Sequence, residues 1–232
     1  MAKQNFDDTR ATLLLLWVIF NAVGAAFVFV AWKAEWLSEI VRADTFYLCR
    51  GIMGFFVLSM ITCTWRTVKM VRELEVARKY VQLLRAEKDE VARAEIEEIE
   101  EGNSRVANYV GKVRGLRPED RYSFEHNLRM SLSQKISGTG VDLGNLISLG
   151  IIGTVIGMKL FAGDFTAQTA KVDPNIFDIV RASMPGLNLA LTATLLGGIG
   201  AFWLGYLFRI LKSAKEQLVS TLIEAGVYVG RS

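Results

Sequence analysis

The chain has 232 residues, of which 51% are hydrophobic and 22% are charged, and its formal net charge is +3 at pH 7. So small a net charge, without aromatic residues interleaved among basic ones, disfavours nucleic-acid binding. The sequence contains no nucleotide-binding loop, paired-carboxylate constellation or nucleophile elbow, so nothing in it indicates an enzyme, a cofactor or a metal site. The two cysteines, Cys49 and Cys63, fit no metal or redox spacing.

Long apolar stretches indicate a membrane protein. A spanning helix needs about 20 mostly apolar residues to cross about 30 Å of hydrocarbon. Four stretches meet this requirement: residues 11–32, 46–65, 143–162 and 187–208. The first is long, has no obvious small-x-small cleavage site and ends at Trp32 and Lys33, an interfacial anchor pair, so we expect it to be retained. The sequence therefore predicts an all-α, polytopic membrane protein with four transmembrane helices.

The distribution of Lys and Arg predicts the orientation, because cytoplasmic segments carry the excess of basic residues. Residues 66–142 hold 15 of the 27 basic residues, whereas the connections 33–45 and 163–184 hold two each. We therefore expect cytoplasmic segments at 1–10, 66–142 and 209–232, and paired spans at 11–65 and 143–208. Both termini then face the cytoplasm.

The cytoplasmic segments are predicted to be helical extensions of the spans. Residues 66–101 contain no Gly or Pro and repeat apolar residues at helical spacing, which predicts that the second span continues as one helix to 102–103. Pro118, followed by Glu119 and Asp120, is typical of a helix start. We expect that helix to stop at residues 137–140, which contain two glycines, and a last helix to occupy 209–232.

Small residues line one face of each of the last two spans. In the third span they lie three and four residues apart: Gly150, Gly153, Thr154 and Gly157. In the fourth span they form a second stripe: Ala190, Thr194, Gly197, Ala201 and Gly205. Such faces let helices approach closely in lipid, and ordinary helix packing explains the spacing by itself. A threonine near mid-depth in each face, with Thr192 close by, favours a polar ion path, because a hydroxyl can bond its own helix or offer its oxygen to an ion.

These residues carry a family resemblance. The motif Gly150-x-x-Gly153-Thr154-Val155-x-Gly157 resembles the corresponding span of the MotA/TolQ/ExbB proton-channel family. The motif running from Pro185-Gly186 through Ala190 and Thr194 to Gly197 resembles the last span of the TolQ and ExbB branch. The resemblance covers about a third of the chain, and the four-span topology with a cytoplasmic segment between spans two and three is similar to that of MotA.

The resemblance implies a stator subunit of the bacterial inner membrane. Family members form a homopentamer around a dimer of a single-span partner similar to MotB, TolR or ExbD, and the partner's membrane aspartate carries protons. By carry-over, Thr154 and Thr194 would face that aspartate, and the glycines and alanines would form a close-packed pore face: Gly150, Gly153, Gly157, Ala190, Gly197 and Ala201. Proton flow would then drive rotation or mechanical work, in a process that the sequence does not identify.

Two positions depart from the family pattern, and a third bears on the choice of ion. Leu189 stands where TolQ and ExbB carry an acidic residue, and Trp203 replaces a proline that those relatives carry deeper in the last span. Because no Asp or Glu lies in any of the four apolar stretches, we expect the titrating carboxylate to come from the partner. Ala193 precedes Thr194, whereas sodium-using members tend to have a second hydroxyl there, which favours protons and leaves sodium open.

Two charged residues follow the small-residue face of the third span. Lys159 lies five residues beyond Thr154, or about 7–8 Å along the helix. Its ammonium group can reach the outer interface by snorkelling, or it can act with Asp164 as an electrostatic gate at the outer mouth.

The sequence leaves two other functions open. A non-conducting membrane scaffold or assembly protein would use the glycine faces for packing only, and a small transporter or passive channel would act without a partner.

Overall fold

The structure, a computed structural model, describes residues 2–35, 38, 47–85, 90–102, 104–115, 117–170 and 175–229. All regular structure in these ranges is α-helical, which confirms the all-α class. The helices are α1 (Ala2–Lys33), α2 (Leu48–Arg85), α3 (Glu90–Glu101), α4 (Arg105–Arg114), α5 (Pro118–Thr169) and α6 (Ile176–Val229). Helices α1, α2, α5 and α6 are long and apolar enough to cross a membrane, as expected of a multi-pass membrane protein.

The chain divides into two compact units, and α2, α5 and α6 each contribute residues to both. The apolar unit comprises Met1–Ile61 and Thr139–Leu207, and it contains the residues of all four predicted crossings apart from a few at their ends. The charged unit comprises Thr62–Gly138 and Phe208–Ser232. Each unit has its own buried residues, so each is described separately.

In the apolar unit, α1 packs on α6 through aromatic rings. The ring of Phe20 lies 4.3 Å from that of Trp203 and 4.0 Å from that of Tyr206, measured between centroids. Gly24 lies directly against the indole of Trp203, and any side chain at position 24 would overlap that ring. Because Gly24 has no Cβ, the largest side chain of the fourth span fits between α1 and α6.

Helix α2 packs on both α5 and α6. A Cβ added at Gly153 of α5 would lie 3.1 Å from the Leu48 side chain, and one added at Gly200 of α6 would lie 3.2 Å from the Phe56 ring. Cys49 and Ile52, on the same side of α2 as these contacts, are each only 1% exposed. The start of α2 is thereby packed against the glycine face of the third span.

In the charged unit, the prediction of one helix from the second span to residues 102–103 is wrong. Helix α2 ends at Arg85, and α3 folds back beside it, since the Tyr80 hydroxyl donates a 2.6 Å hydrogen bond to Glu100. These two residues are 20 positions apart and would be about 30 Å apart in one straight helix.

The physical reason is the amphipathic character of α3. Folding back buries Ala92, and it pairs Glu95 with Lys79 at 3.0 Å. Glu100 also accepts two 2.7 Å hydrogen bonds from the guanidinium of Arg114 in α4. A straight helix would leave this apolar side in water. In the sequence, Asp89 directly precedes Glu90 and is a typical helix-start residue, so it indicates that a separate helix, α3, begins there.

The start of α5 at Pro118 is confirmed, but the predicted stop at residues 137–140 is wrong, because α5 continues without a break to Thr169. Leu132, Ile136 and Thr139 are buried at helical spacing through this region. A Cβ at Gly138 would lie 2.9 Å from Nη1 of Arg66. The glycine therefore makes room for a guanidinium beside the helix and does not end it.

Helices α4 and α6 form much of the core of the charged unit. Leu211, Leu218 and Leu222 of α6 are fully buried, and a Cβ at Gly226 would lie 2.7 Å from the hydroxyl oxygen of Tyr109. Burial, assisted by the negative charge of Glu125, raises the pKa of Tyr109 to about 12.

This shift predicts an alkaline limit to stability. The unfolded chain ionises tyrosine at about pH 10, whereas the raised pKa keeps Tyr109 neutral in the folded chain to about pH 12. The contribution of Tyr109 to stability is therefore fully present below pH 10 and is lost as the pH rises from about 10 through about 12. Tyr109→Phe should flatten the pH dependence of the unfolding midpoint over this range, measured in detergent by circular dichroism. Tyr122→Phe, at a side chain that is 80% exposed, is the control and should leave that dependence unchanged.

Candidate functional site

The candidate site is built on a direct backbone contact between α5 and α6. A Cβ at Gly157 would lie 2.6 Å from the carbonyl oxygen of Gly186 and 2.7 Å from Cα of Ala190. A Cβ at Gly197 would lie 2.8 Å from both Cα of Gly150 and the carbonyl oxygen of Leu146. These distances are shorter than a side chain tolerates, so glycine at these positions is what allows the two helices to touch. We call this contact the glycine seam.

The glycine seam follows a slightly different stripe of α6 from the one predicted. Ala193, which is completely buried, packs directly on Gly153, and Gly186 packs on the backbone of Phe161. Neither was among the predicted pore-face residues, although Gly186, Ala190, Ala193 and Gly197 follow the same spacing of three and four residues. The predicted small residues Gly150, Gly153, Gly157, Ala190, Gly197 and Ala201 are all buried in the chain.

Thr154 and Thr194 meet at the edge of the glycine seam. Their hydroxyl groups form a hydrogen bond between α5 and α6, across 40 positions of sequence. The Thr154 hydroxyl also lies 3.0 Å from the carbonyl oxygen of Gly150, and the Thr194 hydroxyl lies 3.0 Å from that of Ala190. Thr154 is half-buried and Thr194 is exposed, so the pair is open on one side of the chain.

Proton counting shows what this pair can do. A hydroxyl has one proton to donate and two lone pairs to accept with. The pair has three hydrogen-bond contacts and only two protons, so at any moment only two of the three bonds are made. Either hydroxyl can therefore switch its hydrogen bond from the backbone carbonyl to the neighbouring hydroxyl by rotation about its C–O bond. The oxygens also keep lone pairs that a donor approaching from the open side can use.

Thr192, the third predicted pathway residue, is not brought to this pair. Its hydroxyl donates a 3.2 Å hydrogen bond to Oδ1 of Asn188, one turn earlier in α6. Two residues of helix separate Thr192 from Thr194 by about 200°, so the two hydroxyls point in different directions.

Lys159 and Asp164 are both exposed, and no ion pair joins them within the described ranges. Five residues of helix place their side chains on different faces of α5, about 140° apart. The structure therefore does not bring together the two charges predicted for the outer mouth.

The open side of the threonine pair is otherwise apolar. Ile147 and Ile151 lie on the same side of α5 as Thr154 and are 46% and 58% exposed. Leu191, one turn before Thr194 in α6, is 64% exposed, and Gly198, one turn after it, has open space where a Cβ would be. This surface suits a second apolar helix that carries a polar group at the level of the hydroxyl pair.

Over the described residues, no cluster of three or more His, Cys, Asp or Glu side chains could hold a metal ion. No protein-family model matches the chain, and comparisons with curated proteins and with solved structures find no significant similarity.

The glycine seam predicts that alanine substitutions at two adjacent glycines, Gly197 and Gly198, have different effects on stability. Gly197→Ala places a methyl group 2.8 Å from the Gly150 backbone, which cannot yield as a side chain could. We expect a loss of about 1–3 kcal/mol in the free energy of unfolding, the range for overpacking. The measurement is detergent-denaturant unfolding of the purified chain.

Gly198→Ala is the matched control, because nothing lies within 4 Å of a Cβ at that position. Replacing this helical glycine with alanine should be neutral or stabilising, by at most about 1 kcal/mol. Equal destabilisation by the two substitutions would contradict the seam.

Proposed function

We propose that the chain is the multi-pass subunit of an ion-driven stator in the bacterial inner membrane. In this proposal it forms a homopentamer around a dimer of a single-span partner, and a membrane aspartate of the partner carries the ion, most simply a proton. The observation that carries the proposal is the Thr154–Thr194 hydroxyl pair, which is held by the glycine seam and open on one apolar side.

The chemistry of the pair supports a role as half of an ion path. Hydroxyl groups do not titrate near neutral pH, so a proton needs a further group to carry it between the two sides. The four apolar stretches contain no Asp or Glu that could do so. A carboxylate on a second chain would complete the path, and the free lone pairs of Thr154 and Thr194 could accept a hydrogen bond from its protonated form.

The surface around the pair supports a helical partner. Both hydroxyl protons of the pair are already donated, but the lone pairs that remain on its open side have no donor among the described residues and favour a neighbouring polar group. The neighbouring side chains are apolar, and Gly198 leaves room for close approach. The resemblance of both glycine–threonine motifs to the MotA/TolQ/ExbB family supports the same arrangement, and the basic residues concentrated in 66–142 favour cytoplasmic termini.

A scaffold that uses its glycines only for packing is the second candidate. The observation that favours it is that the glycines of α5 are already in contact with α6 of the same chain. In that case the threonine hydroxyls would only join α5 to α6 and bond to their own backbone carbonyls. The stator requires the hydroxyls of Thr154 and Thr194 for ion transfer, whereas the scaffold does not.

The double substitution Thr154→Val and Thr194→Val separates them. Valine keeps the shape of threonine and removes the hydroxyl, and replacing both partners of a hydrogen bond with apolar groups of the same shape costs little stability. The fold should therefore survive while ion-coupled activity is lost. Thr154→Ser with Thr194→Ser keeps both hydroxyls and should retain most of the activity. Activity is measured as proton flux in vesicles that contain the chain and its partner. Full flux in the double valine variant would show that the hydroxyls are not part of the ion path, whereas a non-conducting scaffold gives no flux even from the wild-type complex.

The absence of a carboxylate predicts that the purified chain alone conducts poorly. In liposomes with a pH gradient it should give no dye quenching above empty vesicles, because no group in the apolar stretches titrates near neutral pH. Adding a co-encoded single-span protein with a membrane Asp should restore flux.

Asp→Asn in that partner should then abolish the flux and leave the complex assembled, as judged by co-purification. Flux that survives the Asn substitution would contradict the proposal, and flux from the chain alone would indicate a channel that acts without a partner.

A further inference from the structure

The outer ends of α1 and α2 stop far short of the outer ends of α5 and α6. Leu48, the first residue of α2, lies against Gly153 of α5, next to Thr154. From that level α5 continues for another 16 residues to Thr169, or about 24 Å at 1.5 Å per residue.

The contacts of α1 with α6 show independently that α1 also ends at the level of the threonine pair. Phe20 stacks on Tyr206 and on Trp203, and Gly24 lies against Trp203, so the two helices are antiparallel neighbours. Lys33 ends α1 nine residues beyond Gly24, about 14 Å further along the axis. Thr194 lies nine residues before Trp203, about the same distance in the same direction. The end of α1 is therefore level with Thr194.

The residues at these two helix ends are those of a membrane surface. Trp32 is 74% exposed and Tyr47 is 67% exposed, and tryptophan and tyrosine concentrate at the level of the lipid headgroups. Lys33 and Arg50 carry charges at the same level, and the Arg50 guanidinium lies 4.7 Å from the Tyr47 ring centroid. Such charged groups are costly in hydrocarbon and stable at its edge.

Exposed polar and charged residues begin on both α5 and α6 just beyond the level of the threonine pair. Between Leu143 and Met158, α5 carries no charge, and its first charge beyond Thr154 is the exposed Lys159. On α6, Asn188 is exposed. Further out, Asp164, Asp178 and Arg181 are also exposed. Polar and charged side chains that face outward from a helix pair fit water and headgroups and do not fit lipid tails.

We infer that the outer edge of the hydrocarbon lies between the levels of Thr154 and Lys159. The part of α5 from Lys159 onward and the part of α6 up to Asn188 then form a helix pair outside the bilayer. The hydroxyl pair then lies directly under the membrane surface and not at mid-depth. Lys159 faces water and lipid phosphates, and it needs neither snorkelling nor an ion pair with Asp164. The inference requires only that the chain spans a membrane, and it does not require ion coupling.

The experiment compares two matched positions on one face of α5. Met158 is 47% exposed and Ile147 is 46% exposed, and 11 residues of helix place their side chains within about 20° of each other. They differ by about 16 Å along the helix axis, which in a spanning helix is a difference in depth. Each is replaced by cysteine in the full-length chain and treated in membrane vesicles of both orientations with a membrane-impermeant maleimide. The wild-type chain, whose Cys49 and Cys63 are buried, is the blank.

We expect Met158→Cys to be labelled in one vesicle orientation and Ile147→Cys to show no labelling above wild type in either. A second pair on α6, Asn188→Cys against Leu195→Cys, should behave in the same way, and it guards against a neighbouring subunit covering one helix. Labelling at either outer position, with both inner positions silent, supports the inference.

Two results would overturn it. If neither Met158→Cys nor Asn188→Cys is labelled until detergent is added, the hydrocarbon extends outward towards the exposed Ile176 and Phe177. If Ile147→Cys and Leu195→Cys are labelled as well, water fills this face and no edge exists at Lys159. Labelling only from the cytoplasmic side would contradict the orientation in the proposed function and leave the position of the edge intact.

Discussion

The close approach of α5 and α6 is the contact on which the rest of the apolar unit depends. Two helices normally pack with their axes 8–10 Å apart, because side chains separate them. Here glycine hydrogens face backbone atoms directly, at Gly157 and Gly197 above all, so the separation is set by the main chains. In lipid, where water exclusion between helices contributes little, such dense contact is a main source of association energy.

This contact also determines the chemistry of the site. Each threonine hydroxyl would by itself bond only to the carbonyl one turn earlier in its own helix. Because the seam draws the helices together, the hydroxyls of Thr154 and Thr194 come within bonding distance of each other. One edge of the pair stays open, since Ala193 and not Thr194 fills the centre of the seam. A packing feature and a polar feature are thus two consequences of the same glycine spacing.

The charged unit is held together by different forces. Its core combines buried leucines of α6 with side chains of α2 and α4, and polar pairs lie around it. Glu100 accepts hydrogen bonds from both Tyr80 and Arg114, so one carboxylate links α2, α3 and α4. Lys215 is 6% exposed and reaches both the Ser133 hydroxyl and the Glu216 carboxylate, which leaves the buried ammonium paired. An exposed pair such as Lys79–Glu95 contributes little stability by itself. The Glu100 carboxylate, which Tyr80 and Arg114 share, adds mainly geometric definition.

The sequence by itself determined the class of the protein and the composition of its contact face. Long apolar stretches require helices in a membrane, because backbone groups in lipid must be hydrogen-bonded within the span. A spacing of three and four residues places glycines on one helix face whatever packs against them. The helix start at Pro118 was readable for the same reason, since it depends on local backbone chemistry.

Only the tertiary structure decided where helices end and which residues meet. Gly138 looked like a helix stop, but the Arg66 guanidinium occupies the space beside it and α5 continues. The sequence after Arg85 is typical of a straight continuation of α2. The burial of Ala92, the ion pair of Glu95 with Lys79 and the hydrogen bond of Glu100 with Tyr80 instead favour folding back. The level of Thr194 relative to the end of α1 could not be read from hydropathy, because depth depends on how neighbouring helices are staggered. That stagger is set by contacts between residues far apart in the chain, such as Gly24 with Trp203, and a local pattern contains no information about them.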